Sequence, residues 1–256
     1  MIITSRENRI YKTVKSLMTK RGREESGLFV IEGARSVVDA IKKNAQIEYI
    51  IKQDGVNIIE GSFKEYVFAP KLFCELSDTL TPQGIMAVCK IPSCKLSDIK
   101  GSEKSCVIMC EELQDPGNIG TIIRTAHAAF CDGVILTKGC CDLYNPKIVR
   151  STMSGIFSVP VVCGVESAQV LIYFKNQGYE SVAGALSDKA VDLYTSSLKG
   201  KKLIVVGNEG NGIKKETLDL CDKVVKIPMK SDAESLNAAI AASVIIYEHH
   251  RENNYG

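Results

Sequence analysis

The chain has three histidines, two of them adjacent at His249-His250, and no Cys-x-x-Cys pair among its ten cysteines. The residue types that build a zinc or iron site are too few and too scattered, so no bound metal is expected. The cysteines sit mostly within apolar, strand-like runs and read as buried, reduced thiols rather than disulfides. No apolar run approaches the roughly 20 residues needed to cross a bilayer, and the opening MIITSRENRIYKTVKS lacks the apolar core of a signal peptide. A cytoplasmic protein with no membrane partner is therefore expected. The chain also lacks a GxGxxG fingerprint and the Lys-Ser/Thr of a phosphate-binding P-loop, which speaks against a dinucleotide-dependent oxidoreductase or an NTPase.

Charge of one sign is scarce as well. Lys and Arg total 32 against 30 Asp and Glu, a net of +2, so the overall balance announces no polyanionic partner. Its distribution is uneven: residues 1–100 hold 16 basic against 12 acidic side chains and the remainder 16 against 18. Within the first 23 residues, Arg6, Arg9, Lys12, Lys15, Lys20, Arg21 and Arg23 are accompanied by one acid, Glu7. Arg6, Arg9 and Lys12 recur at helical spacing and form a candidate stripe along a phosphate backbone; a solvated basic helix is the alternative. Tyr11 is the single aromatic there, which favours backbone contact over base stacking.

At 256 residues and 45% hydrophobic content, the chain is long enough for two domains. Apolar runs at Leu28–Ile31, Ile47–Ile51, Tyr66–Phe68 and Ile85–Cys89, with helical stretches from Arg6 to about Lys20 and Ala34 to Lys43, make a small N-terminal α/β domain over 1–95. A polar segment without periodicity, PSCKLSDIKGSEKS, marks the linker. Residues 96–256 follow, with continuous apolar runs at Cys106–Cys110, Val134–Leu136, Val159–Val162, Val182–Leu186, Leu203–Val206 and Val224–Ile227. Runs of that kind are buried on both faces, so the second domain reads as a mostly parallel sheet with helices on each side.

Three segments of this domain carry candidate chemistry. In DPGNIGTIIRTA, a helix opens after a strand. Ile119, Ile122, Ile123, Ala126 and Phe130 gather on one face, and Asn118, Thr121 and Arg124 lie away from it. A helix start with Asn118 and Arg124 nearby suits an anionic ligand such as a phosphodiester, or else an Asn cap and a solvated arginine. In LIVVGNEGNGI, a buried strand runs into a glycine-rich turn holding Gly207, Glu209 and Gly210, which permits close approach of a nucleotide-like ligand but equally serves as a structural turn. In IPMKSDAESLNAAIA, Ser235 and Asn237 stand at a helix mouth, placed to cap amides or face a ligand.

Taken together, in their order and spacing, these three segments resemble the three motifs of the SpoU (TrmH-type) ribose methyltransferases of the SPOUT superfamily. The N-terminal part, with FVIEGARSVVDAI and LTPQGIMAVC, is similar to the family's L30e-like substrate-binding domain. The resemblance implies a deep trefoil knot, against the usual preference for unknotted connections, and a homodimer. It implies S-adenosylmethionine as cofactor, held around Gly207, Ile227 and Leu236 with Glu209, Gly210 and Met229 alongside. Asn118, Arg124, Glu209, Ser235 and Asn237 match the family's functional polar positions, and Ser231 departs from a usual glycine. The implied reaction is transfer of a methyl group to a ribose 2'-hydroxyl of RNA, with 23S ribosomal RNA preferred and tRNA the alternative. A non-catalytic RNA-binding copy of the fold is the rival reading. Because a guanidinium stays protonated in proteins, Arg124 is expected to grip a phosphate and polarise the hydroxyl rather than act as a free base.

Overall fold

The computed structural model describes residues 1–56, 62–230 and 235–255. In chain order, the first elements are β1 (Ile2–Ile3), α1 (Arg9–Leu17), α2 (Lys20–Ser26), β2 (Leu28–Glu32), α3 (Ala34–Lys42), β3 (Ile47–Gln53), β4 (Glu65–Phe68), α4 (Pro70–Leu76) and β5 (Ile85–Lys90). There follow β6 (Cys106–Cys110), α5 (Pro116–Ala128), β7 (Gly133–Thr137), α6 (Pro146–Ser151), β8 (Val161–Val165), α7 (Ser167–Asn176) and β9 (Glu180–Gly184). The last are β10 (Val191–Asp192), β11 (Lys202–Val206), α8 (Lys215–Leu220), β12 (Lys223–Lys226) and α9 (Ala238–Asn254).

Two compact units result: Met1–Ser93 with Asp142–Ser158, and Cys94–Cys141 with Val159–Gly256. In the first, the strands lie in the order β1-β4-β3-β5-β2, with β5 antiparallel to both neighbours and the other pairs parallel. Val14, Leu17, Phe68, Phe73 and Met86 are buried in its core. The N-terminal helix expected from Arg6 to about Lys20 is α1, shorter at both ends, and a second helix, α2, starts at Lys20. Asn8 caps α1 through Ile10 N, and Thr19 caps α2 through Gly22 N. Two side-chain caps eleven residues apart favour two short helices over one continuous one.

Residues 142–158, placed by sequence with the second domain, belong to the first unit. Asp142 accepts from Arg23, whose side chain is 3% exposed, at 2.8 Å from Nε. The ring of Phe29 lies 4.6 Å from Tyr144 and 6.3 Å from Phe157, Arg150 reaches Asp78 at 2.8 Å, and the Ser154 hydroxyl donates to Asp39 at 2.7 Å. All of these partners are more than 70 residues distant in sequence, beyond the reach of any local pattern.

In the second unit, seven strands lie in the order β10-β12-β9-β11-β6-β7-β8, every pair parallel. β6, β7 and β11 are buried at every position, as the unbroken apolar runs require. β11 is inserted between β6 and β9, which brings the carboxyl ends of β6 and β11 side by side. Helix α9 packs on α5 and crosses β9 closely: a Cβ on Gly184 would meet Ile245 Cδ1 at 2.6 Å. The segment leading into α9 includes 231–234, so Ser231 and the threading of the implied knot through that stretch lie outside the described residues.

Candidate active site

The carboxyl ends of β6 and β11 and the N-termini of α5 and α9 converge on one polar relay. Asp115 is the N-cap of α5 and accepts from Asn118 N at 2.9 Å, with Pro116 occupying the first helical position, where an amide is not needed. This corrects the idea of Asn118 as the cap: it sits within the first turn, with its side chain aimed inward and only 7% exposed. Its Nδ2 donates to Glu209 Oε1 at 2.9 Å, and its Oδ1 accepts from Asn237 Nδ2 at 2.9 Å. Asn237 in turn caps α9, its Oδ1 accepting from Ala239 N at 2.9 Å and Ile240 N at 3.2 Å.

The direction of this relay is set by charge. A carboxylate only accepts, so the Asn118 amide must turn its NH2 to Glu209 and its oxygen to Asn237. Asn237 must then present its NH2 to Asn118 and its oxygen to the helix amides. The three motif segments thus meet in a single chain of hydrogen bonds with one permitted polarity.

Glu209 also accepts from Asp115 N at 3.0 Å and Gln114 N at 3.2 Å. Burial, the largest single influence, pushes its carboxyl up. The hydrogen bonds from Asn118 and from backbone amides together outweigh that and hold it below its ordinary value. The anion at the mouth of α5 is therefore supplied by the protein's own Asp115 and Glu209. Asp115 takes the Asn118 amide of the first turn, and Glu209 takes the amides of Gln114 and Asp115 just before it.

Arg124 lies elsewhere on α5, exposed and without a hydrogen-bond or ion-pair partner among the described residues. Ser235 is exposed beside the start of α9. The structure brings Asn118, Glu209 and Asn237 together and leaves Arg124 and Ser235 outside that relay.

The expected cofactor positions line the carboxyl edge of the sheet. Gly207 is buried, Ile227 and Met229 are half-buried, and Gly210 and Leu236 are exposed. Val225 is aligned with Gly184 and Ala183 with Val205, so the chain beyond these strands places Ile227, Leu186 and Gly207 along one edge. The apolar run Val182–Leu186 outlasts the strand: β9 ends at Gly184 and leaves Leu186 58% exposed. Uncovered apolar side chains beside main chain at the ends of parallel strands fit an adenosyl group. Gly207 is sterically obligatory: a Cβ there would meet Gly212 C at 2.2 Å and Ile213 N at 2.3 Å.

Sequence reasoning also passed over Glu111. It is 2% exposed at the end of β6 and accepts from Ser167 Oγ at 2.6 Å, Thr217 Oγ1 at 2.6 Å and Lys214 N at 2.8 Å. Three donors satisfy a buried carboxylate and pin the start of α8 to β6. An acid at the end of an apolar run was the available signal.

Two residues of the N-terminal stripe face acids in solvent-exposed ion pairs. Arg6 donates from Nε to Glu75 at 2.8 Å and pairs with it again through NH2, and Lys12 pairs with Glu7. Hydrogen bonds from Arg6 and Tyr11 hold the Glu75 carboxyl down at about 2. Arg9 is exposed and without an ion-pair partner among the described residues. Glu75 lies 69 residues from Arg6, which is why a local charge count missed it. Among the described residues there is no group of three or more His, Cys, Asp or Glu placed to hold a metal, and no helix is long and apolar enough to cross a membrane.

Residues 105–247 match the SpoU rRNA Methylase family, and residues 8–87 match the MRM3-like substrate binding domain. The chain is 32% identical to the Bacillus subtilis 23S rRNA (guanosine(2553)-2'-O)-methyltransferase RlmP, covering 96% of this chain and 97% of that protein. The crystal structure of AviRb from Streptomyces viridochromogenes with the cofactor AdoMet superposes with a TM-score of 0.90 at 27% identity, covering 98% of this chain and 100% of that one. The AdoMet-bound rRNA methyltransferase from Sinorhizobium meliloti gives 0.89 at 28% identity, covering 98% and 97%. With the family matched over more than half its length and a relative similar from end to end, the chain belongs to the SpoU rRNA methylase family.

Proposed function

We propose that this protein methylates a ribose 2'-hydroxyl of 23S ribosomal RNA, using S-adenosylmethionine, in the cytoplasm. The observation that carries the reading is the Glu209–Asn118–Asn237 relay, which draws one residue from each of the three motif segments into hydrogen-bond contact. The substrate follows from RlmP, a 23S rRNA enzyme similar over the whole chain rather than over the catalytic part alone. The first unit, matched by a substrate-binding domain, is the part that selects the RNA.

Gly207, Leu186, Ile227, Met229 and Leu236 hold the cofactor, with Glu209 and Gly210 beside it. When bound, it supplies an electrophilic methyl group on a sulfonium. The protein's task is then alignment of the ribose oxygen and stabilisation of its developing charge. Arg124, exposed and without a partner among the described residues, grips the phosphate next to the target ribose and polarises the hydroxyl, whose proton passes to solvent water as the methyl is transferred. Glu209 is a positioning group and not the proton acceptor, since three donors occupy its two oxygens and its basicity is lowered. Asn118 and Asn237 transmit that position to the mouth of α9.

The active form is a homodimer. Ile240 and Tyr247 are 53% and 49% exposed on one stripe of α9, and Phe130 is 82% exposed just past the end of α5. A second copy covers apolar surface of that kind.

The test is incubation with methyl-labelled S-adenosylmethionine and, separately, unmodified 23S rRNA, 16S rRNA and bulk tRNA, followed by mapping of labelled riboses. Label at one 2'-oxygen of 23S rRNA is expected. Label confined to tRNA overturns the substrate, and cofactor binding without label on any RNA favours a non-catalytic RNA-binding role.

A further inference from the structure

Glu209 works only if the glycine-rich loop that carries it stands at a fixed distance from the start of α5. The residue before it, Asn208, holds that distance. Its backbone exchanges two hydrogen bonds with Gly212, both 2.9 Å, closing residues 208–212 into a tight turn. Its side-chain oxygen accepts from Gly210 N at 2.9 Å and Asn211 N at 3.0 Å. Its side-chain nitrogen points the other way and donates to the Glu112 carbonyl at 2.8 Å. As with Asn118, the partners on each side permit one orientation of the amide.

The acceptor is itself specially placed. Glu112 has φ of +51°, in the left-handed region where a non-glycine residue is uncommon. Its amide donates to Thr137 Oγ1 at 3.1 Å and its carboxylate pairs with Lys214. That conformation turns its carbonyl toward Asn208. Two successive residues of the loop therefore reach across to the same stretch of chain: Asn208 to residue 112, and Glu209 to residues 114, 115 and 118.

We propose that Asn208 is a positioning residue of the methyl-transfer site, whose amide nitrogen ties the loop to Glu112 and thereby sets the Glu209 carboxylate against the Gln114 and Asp115 amides and Asn118. This rests on the function proposed above. The competing role is purely local, closure of the turn by the side-chain oxygen. Asn208→Asp separates the two, because a carboxylate still accepts from Gly210 and Asn211 but has no hydrogen to give the Glu112 carbonyl.

The experiment compares wild type, Asn208→Asp, Glu209→Gln and the double variant. Backbone amide hydrogen exchange is followed by NMR on the ligand-free protein, and kcat and KM are measured with RNA. In Asn208→Asp, Gly210 and Asn211 keep their protection, while Gln114 and Asp115 lose about tenfold. The rate constant kcat falls about tenfold with KM for RNA nearly unchanged, and the double variant is no slower than Glu209→Gln alone, as expected of residues acting through one another. Unchanged protection at Gln114 and Asp115, or rate losses that multiply in the double variant, overturns the proposal. If Asn208→Asp does not fold, Asn208→Ser, uncharged and too short to reach Glu112, is read in the same way. A wild-type protein without methyl transfer refutes the proposed function, and the exchange data still decide the role of Asn208.

Discussion

Replacing Asn237 separates its two jobs. In Asn237→Ala, the cap on α9 is lost, leaving Ala239 N and Ile240 N without their acceptor, at a cost of about 1 kcal/mol. The Asn118 oxygen, in a side chain only 7% exposed, loses its donor as well, which costs about another 1 kcal/mol. A total near 2 kcal/mol lowers the melting temperature of a chain this size by roughly 4–8 °C. Asn237→Asp keeps the cap, and its negative charge is favourable at a helix N-terminus. It cannot donate to Asn118, however, and sets an anion against that oxygen. The aspartate variant should therefore melt closer to wild type than the alanine variant, yet lose methyl transfer by tenfold or more, equivalent to about 1.4 kcal/mol of barrier. Melting is read by far-ultraviolet circular dichroism and transfer by label incorporated into RNA. An aspartate variant with full activity would refute the argument that Asn237 orients Asn118.

Arg124→Ala should abolish turnover while leaving the dissociation constant for S-adenosylmethionine, measured by calorimetry, within about twofold; loss of cofactor affinity would remove Arg124 from its assigned role. Gly207→Ala forces backbone apart at 2.2 Å and should destabilise the protein by about 1–3 kcal/mol and weaken cofactor binding more than tenfold. Glu75, with its carboxyl held at about 2, contributes stability that is complete above the ordinary carboxylate range and fades as pH falls toward 2. The stability gap between wild type and Glu75→Gln in urea should accordingly be widest near neutrality and shrink below pH 4.5. His249, whose pKa is lowered by burial while its ring nitrogen lies 3.0 Å from the Gly200 carbonyl, stays neutral when the unfolded chain takes up a proton. Stability should therefore decline as pH drops below about 6.5, and His249→Gln should flatten that decline.

The sequence by itself determined the second unit's architecture, because strands buried on both faces admit few polar residues. Cys106–Cys110 and Leu203–Val206 therefore stand out as unbroken apolar runs. The chemistry was legible only by resemblance: DPGN, GNEG and SLN each admit a capping or turn role when read alone, and it is their order and spacing that match the SpoU family. The errors of the sequence lie where a residue's state depends on distant neighbours. Arg6 looked unpaired until Glu75, far along the chain, came to meet it. Residues 142–158 looked like part of the catalytic domain until Arg23 and Phe29 claimed them. The polarity of the relay is likewise tertiary: an asparagine amide has no preferred direction in sequence, and Asn118 acquires one only when β11 delivers a carboxylate to one side and α9 an amide to the other. Local patterns fix what periodicity and burial demand of each segment, whereas hydrogen-bond direction and charge pairing are set by partners that folding alone brings within 3 Å.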